Sequence, residues 1–517
     1  MNERKFDIIV YVTDEQALSA LTASLAQIKI PPGFSAEIKM GRGGGKYPAY
    51  NAVMRASDAK YKIYLDERAT VTNKNFLVEL LKVFQTDKTV GAVGTSGAIE
   101  LSTHGVSLNS AKRAAKNFSC EVEVLDGFFF ATQYDLPWRD DLFADNFFGG
   151  EAQCVEFRRA GYKIFVIGDW ISVDTANLKL DEPSRQKFLE EYSADLFPLV
   201  SVVIPTFNRP KYFREALDSV LNQTYRNIEV VISDDSTGDE TETLIQDYLA
   251  RDKRIKYFRN KGFTSHDNWS FLRAYNNPAA EYVNWLMDDD IFYPTKLEKM
   301  VEVYRTNPDV SLVTSARNFI DADGKVTGNT QNVFGRDVKI NGDEAGKMLF
   351  LWDNYIGEPS TVLIRKKFLR NNDLCRNEDE TGFFSLLDVS TWLQLLSKGN
   401  MIRLIECLSG FRRHSQQASH WDTTLPISRV AWVKLFAIEW DKKFFVKNEQ
   451  AFRTTAAQMI YSNAEKLKMC YDKNMRTAEV VTLEKTIAAL AQSLTNGCKL
   501  ELPPMEYSEQ DSIKKIK

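Results

Sequence analysis

The sequence predicts an α/β protein of two tandem domains, each a mostly parallel sheet covered by helices, with a helical region at the C-terminus. Three observations carry that reading. Strand-length apolar runs alternate with helix-spaced segments. The plan of the second half recurs faintly in the first, and beyond about residue 425 the spacing is helical only. The expected domains are 1–195, 196–424 and 425–517.

In the first domain, Phe6-Asp7-Ile8-Ile9-Val10 reads as the opening strand. Gly41, Gly43, Gly44 and Gly45 lie with Arg42 and Lys46 but lack the G-x-x-x-x-G-K-[ST] spacing of a phosphate cradle, so a flexible loop is expected. Setting Ala59-Lys60-Tyr61 over Ala280-Glu281-Tyr282 gives an offset of 221 residues, which pairs Tyr64 with Trp285 and Leu65 with Leu286. Val90 to Val93 then falls near Val310 to Val313 after a one-residue slip, and Ala160-Gly161-Tyr162 pairs with Lys398-Gly399-Asn400. The charged stretch Leu180 to Asp195 joins the two copies.

In the second domain, Leu199 to Ile204 is a continuous apolar run, as expected of a strand buried on both faces. Pro205-Thr206-Phe207-Asn208-Arg209-Pro210 breaks it, and Phe213, Ala216, Leu217, Val220 and Leu221 space a helix. Ile228 to Ile232 is the next strand, closed by Ser233-Asp234-Asp235-Ser236-Thr237-Gly238-Asp239. A helix (Thr241 to Ala250), a short strand (Ile255 to Phe258) and a helix near Asn268 to Asn276 follow. The strand Tyr282 to Met287 ends in Asp288, Asp289 and Asp290. Both acidic clusters thus lie beyond strand C-termini, where open α/β sheets bind ligands. Further on, Met401 to Cys407 is strand-like, and the tail reads as helices around Val430 to Trp440, Ala456 to Cys470 and Val480 to Leu494.

Composition narrows the function classes. A chain of 517 residues is too long for one core. A net charge of −4 argues against a nucleic-acid-binding surface, so no nucleic-acid partner is expected. No apolar run approaches the ~18 residues of a membrane span, and no signal-peptide core is seen. The six cysteines are scattered without a C-x-x-C pair, which suits reduced thiols in the cytoplasm. The basic end, Ser512-Ile513-Lys514-Lys515-Ile516-Lys517, could touch the inner face of the plasma membrane, and the tail could instead dimerise or cover a cleft.

Adjacent carboxylates repel one another, and a divalent cation relieves that repulsion while phosphates complete its shell. Asp288-Asp289-Asp290 is therefore a candidate metal site, with a solvated acidic turn as the alternative. In the first copy the same offset places Glu67-Arg68-Ala69 there, and an arginine among would-be ligands opposes a cation.

The second domain resembles the family 2 glycosyltransferases, inverting nucleotide-sugar enzymes of GT-A, Rossmann-like fold. The matching stretches are Val202 to Arg209, Leu217 to Glu229, Ser233 to Thr237, Asp288 to Asp290 and Leu408 to His414, in the family's order across about residues 198 to 420. The first domain is similar to a more divergent glycosyltransferase-like group through Ala59 to Leu65, Leu125-Asp126-Gly127, Trp138 to Phe143 and Glu156 to Tyr162. It has Arg68 where the metal motif should end and Gly149-Gly150-Glu151 where a base is expected, so a non-catalytic copy is implied.

The resemblance implies a metal-dependent transfer of sugar from a nucleotide sugar, a UDP-sugar, to a glycan, lipid-linked or protein acceptor. Asp288 or Asp289 would meet the ribose and Asp289 or Asp290 the metal, Mn²⁺ or Mg²⁺. Asp235 would accept from a uracil N–H, with Thr206 and Asp234 lining the same pocket. Pro205, Asn208 and Arg209 belong to the donor side, and Arg412 and His414 match an R-x-H segment that meets the diphosphate or the metal. Asp388 matches the base; its plain alternative is a helix N-cap. Glu378, Asp379 and Glu380 are fallbacks for the base, Asp239 reads as a cap, and His266, Asn268 and Trp269 lie where the family approaches the donor. Two rival readings remain: both domains transfer sugars in turn, or the chain binds nucleotide without turnover.

Overall fold

The structure is a computed structural model describing residues 1–98, 120–144, 148–168, 170–173, 181–263, 265–330, 334–369, 386–414 and 421–504. The fallback acids Glu378, Asp379 and Glu380 and the basic end lie outside the described residues, as does the His266 side chain. Chain contacts divide the protein into two compact units, Met1–Phe197 and Pro198–Lys517.

The first unit holds a seven-stranded sheet in the order Ser35–Gly41, Asn2–Tyr11, Ala59–Asp66, Phe129–Thr132, Val90–Gly94, Lys163–Val166 and Cys120–Glu121. The first three strands are parallel, Phe129–Thr132 runs antiparallel between its neighbours, and Val90–Gly94 pairs parallel with Lys163–Val166. Phe6, Ile8, Val10, Tyr61, Ile63 and Leu65 pack against Leu77, Leu80 and Phe84 of the helix Phe76–Thr86 to form its core. Leu180 is not described, and Glu182–Leu196 is a helix rather than a loose connector.

The second unit repeats this order. Ile228–Asp234, Leu199–Thr206 and Ala280–Trp285 are parallel, Val362–Arg365 is inserted antiparallel, and Val310–Ile320 pairs parallel with Asn400–Arg412. Ile255–Arg259 is added at one edge and Ile291–Phe292 at the other. The sequence repeat is thus a repeat of topology, including the antiparallel strand that the sequence pattern did not reveal.

Continuous apolar runs become strands covered on both faces: every residue of Leu199–Thr206 after the first is buried. The helix Pro210–Leu221 begins on a proline, whose missing N–H and fixed φ suit a first helical turn. It buries Phe213, Ala216, Leu217 and Val220, the positions that the spacing picked out. Parallel register brings Thr206 beside Asp234 and Val203 beside Trp285, so three strand ends open on one edge.

The C-terminal helices Trp421–Lys442, Glu449–Asp472 and Ala478–Ser493 share the second unit's core. Phe436, Phe445, Phe452, Met459 and Leu490 pack in one cluster with Leu349, Phe350, Trp392 and Val362. Gly346 lies inside the helix Gly342–Trp352, and a Cβ there would come within 2.2 Å of the buried Phe445 ring. A helical Gly→Ala change gains about 1 kcal/mol of propensity, whereas forcing atoms into a packed core costs about 1–3 kcal/mol. Gly346→Ala is therefore expected to lower stability by up to about 2 kcal/mol net in urea unfolding. A more stable variant would show that the Phe445 contact is loose.

Candidate active site

The strand ends of the second unit border a cavity of about 380 Å³. Pro205, Thr206, Arg209, Asp235, Asp288, Asp289 and Asp388 all line it, together with Asn268, Trp269, Met287, Glu358 and Pro359. A smaller and mainly apolar chamber of about 200 Å³ adjoins it, walled by Trp269, Trp285, Met287, Trp392 and Asp388. Trp269 stacks on Trp285 with ring centroids 4.6 Å apart.

The three consecutive acids part company. Asp288 accepts from the Phe207 N–H at 3.2 Å, and the Arg209 guanidinium reaches both Asp288 (3.1 Å) and Asp289 (3.0 Å). His414 Nε2 lies 3.0 Å from Asp289 Oδ2. Asp290 turns inward, accepting from the Ser360 hydroxyl at 2.5 Å and the Arg412 backbone N–H at 3.0 Å. Unlike Asp288 and Asp289, it does not line the cavity. Among the described residues no three His, Cys, Asp or Glu side chains converge as a preformed metal site. Burial, then the neighbouring Asp289, raises the Asp288 carboxyl to about 6 against the pull of Arg209. The same two causes push Asp290 well above the usual range.

Three further expectations also change place. Asp234 is fully buried, accepting from Tyr257 Oη (2.7 Å) and the Ser236 N–H (2.8 Å), so it braces the loop and does not line the cavity. Asn208 ties its own loop to Thr237, whose N–H it accepts at 2.9 Å. Arg412 is buried against Asp289 O (2.7 Å), Asp321 O (3.1 Å) and Glu215 Oε2 (2.5 Å), with Tyr212 beneath its guanidinium. A guanidinium so engaged organises the backbone beneath the acids and is not presented to a diphosphate. Arg412→Ala would strand those acceptors, and a loss of about 3–5 kcal/mol in unfolding free energy is expected. A stability within 1 kcal/mol of the parent, by urea titration, would contradict this role.

Asp235 lines the cavity with Asn268 Nδ2 donating to its Oδ1 at 2.7 Å. Burial, with Asp234 and Asp288 adding repulsion, lifts it to about 7. Asp388 stands in the first turn of Leu387–Leu396, after a left-handed Leu386 (φ 71°). Asn354 Nδ2 donates to its Oδ2 at 2.9 Å. Desolvation raises Asp388 to about 6, with Glu358 contributing. Asp239 stands at the head of Glu240–Arg251 but makes no side-chain cap, pairing with Lys261 at 2.6 Å instead.

Glu358 and Asn354 escaped the sequence reading. The available signal was an acid between Gly357 and Pro359 ahead of a strand, the same pattern of charge against an apolar run that marks Asp288.

In the first unit the corresponding edge is internally neutralised. Asp66 ends its strand and receives Arg68 at 2.8 and 3.0 Å, with Lys46 at 3.7 Å. Glu67 accepts the Thr13 (2.7 Å) and Asp14 (3.0 Å) N–H groups. Gly43, Gly44 and Gly45 all have positive φ, which leads the loop into the helix Lys46–Ala56.

Comparison with known proteins now bears on this geometry. The model described as glycosyl transferase family 2 matches residues 201–372, the segment that holds Asp235, Asp288, Asp289 and Glu358. Residues 201–372 therefore resemble a family 2 glycosyl transferase domain. The model of a glycosyltransferase like family matches residues 7–192. Asp388 and His414 stand beyond the matched span of the family 2 domain. An uncharacterized glycosyltransferase of Rickettsia typhi is 41% identical over 108 residues, covering 20% of this chain and 32% of that one. A GalNAc(5)-diNAcBac-PP-undecaprenol beta-1,3-glucosyltransferase of Campylobacter jejuni is 36% identical over 93 residues, or 18% and 30% of the two chains. The chain therefore spans about a third of the length of these relatives. The S. aureus TarS 1–349 crystal structure aligns at 15% identity and a TM-score of 0.35, covering 60% of this chain and 97% of that one. Among the described residues no helix is long and apolar enough to cross a membrane.

Proposed function

We propose that the second unit is a metal-dependent inverting glycosyltransferase that moves a sugar from a UDP-sugar to a hydroxyl acceptor, and that the first unit is a non-catalytic copy. One observation carries this reading: Asp235, Asp288 and Asp289, within the family 2 match, border a single cavity with Asp388, which lies beyond that match.

Two adjacent buried carboxylates, with His414 against Asp289, form an oxygen-rich donor set that suits Mg²⁺ or Mn²⁺. Asp288, Asp289 and His414 are not a preformed site, so they would hold the ion only once it displaced Arg209 from the two carboxylates, and it would then supply Lewis-acid chemistry toward the departing diphosphate. Asp235 accepts from the imide N–H of uracil, oriented by Asn268. Arg209 supplies further positive charge at the same acids. Asp388 takes the proton from the acceptor hydroxyl as the oxygen attacks the anomeric carbon. A carboxyl raised to about 6 is ionised at neutral pH yet basic enough to accept a proton. The apolar chamber beside it lowers the polarity around that carboxylate. The Campylobacter relative's name supports an undecaprenol-linked glycan among the candidate acceptors.

The deciding experiment is a screen of UDP-sugars with Mn²⁺, following nucleotide release with and without EDTA. Release that depends on Mn²⁺ and rises with an added acceptor is expected. UDP binding without turnover of any donor would favour a nucleotide-binding scaffold.

A further inference from the structure

We propose that Asn354 is a positioning residue for the Asp388 carboxylate, and that Arg429 of the C-terminal helices keeps Asn354 in place through Asp353. The inference rests on Asp388 being the base and gives the C-terminal helices a part in that reaction.

The geometry is continuous. Asn354 Nδ2 donates to Asp388 Oδ2 at 2.9 Å, while its Oδ1 accepts the Gly357 N–H at 3.0 Å. That second bond fixes which way the amide faces, since an N–H can be met only by the oxygen. The amide nitrogen is thus directed at the carboxylate.

Asp353, the residue before it, ends the helix Gly342–Trp352 with a positive φ (φ 59°, ψ −162°). A side chain there is disfavoured by about 1–2 kcal/mol and persists where partners hold it. Arg429 supplies such a partner, with Nη1 2.7 Å from Asp353 Oδ1. Arg429 is itself buried and braced from the next helix, its Nε donating to Asn463 Oδ1 at 2.6 Å. The path from Asn463 to Asp388 therefore runs through hydrogen bonds and one peptide link.

The same turn is fastened on its other side. Trp392 Nε1, on the helix that carries Asp388, donates to Gly357 O at 3.2 Å, and Thr314 Oγ1 donates to Ile356 O at 2.7 Å. The turn ends at Glu358, which Arg317 engages at 2.7 Å. Glu358, Asp235, Asp288, Asp289 and Arg209 are the titratable and charged groups that share the cavity with Asp388. Burial, and then repulsion from Glu358, opposes its ionisation, whereas the Asn354 amide favours the ionised form. A base held to a fraction of an ångström is what proton transfer from a hydroxyl requires.

The test compares Asn354→Ala, Asn354→Asp, Arg429→Ala and Arg429→Lys with Asp388→Asn in the full chain. The Asp388 titration is followed as the ¹³C-carboxyl resonance missing from Asp388→Asn. Nucleotide release from UDP-glucose and UDP-N-acetylglucosamine with Mn²⁺ gives kcat and its pH profile. Loss of the donor in Asn354→Ala should move the Asp388 midpoint upward and lower kcat about tenfold, with the affinity for UDP unchanged. Asn354→Asp keeps the shape but adds repulsion, so its midpoint should move further. Arg429→Ala should shift it in the same direction, and Arg429→Lys should restore part of the change. A parental midpoint in both Asn354 variants overturns the proposal. A parental midpoint in Arg429→Ala removes the C-terminal helices from it. Full activity in Asp388→Asn is a different failure, that of the base assignment itself.

Discussion

Asp388→Asn is expected to lower kcat about 10²–10⁴-fold, the range supplied by a positioned general base, while UDP binding stays within about twofold. The amide has the shape of the acid but cannot accept the acceptor's proton. Asn354 can still hydrogen-bond to the new side-chain oxygen, so the turn should survive. The wild-type pH profile should carry the same signature. Because Asp388 is raised to about 6 and acts ionised, kcat should rise as pH passes upward through about 6 and flatten above it. Donor affinity should follow a second group: Asp235 lies near 7 and accepts from the base only when ionised, so KM should improve as pH rises through about 7. A variant with parental kcat, or a kcat profile flat between pH 5 and 7, would assign the proton to another residue.

Asp289→Asn is expected to abolish Mn²⁺-dependent turnover, by about 10²–10³-fold or more, and to weaken binding of UDP with Mn²⁺ as measured by calorimetry. Asp289 is the acid that touches both Arg209 and His414, so its charge is the hub of the donor side. Asp66→Asn, at the corresponding strand end of the first unit, should leave transfer unaltered, because Arg68 already neutralises that carboxylate. The pair separates the two catalytic readings. If one of two sugar transfers persisted in Asp289→Asn and was lost in Asp66→Asn, both units would be active and the first could not be a silent copy.

What could be seen in the chain beforehand follows a physical division. Val200 to Ile204 announced a covered strand because burial on both faces demands an unbroken apolar run. Asp235 and Asp288 stood out as acids just beyond such runs, whereas Asp388 was picked out only by its match to the family's base position. Which way each acid turns was another matter. Asp290 faces inward because Ser360, 70 residues on, and the Arg412 N–H, 122 residues on, meet it there. Asp234 is drawn in by Tyr257 across the neighbouring strand. No local spacing encodes partners at that range. The antiparallel strand Val362–Arg365 was hidden likewise, since strand direction depends on the path of the connection and not on the apolar pattern.

The merging of the C-terminal helices with the second sheet's core has a practical corollary. A boundary drawn near residue 424, where motif matching alone would end the enzyme, would cut through shared hydrophobic packing and leave Trp392 and Phe350 facing water. Anyone trimming the gene for crystallisation or display should expect inclusion bodies from that shorter product, and should keep the residues through at least Cys498 with the half they complete.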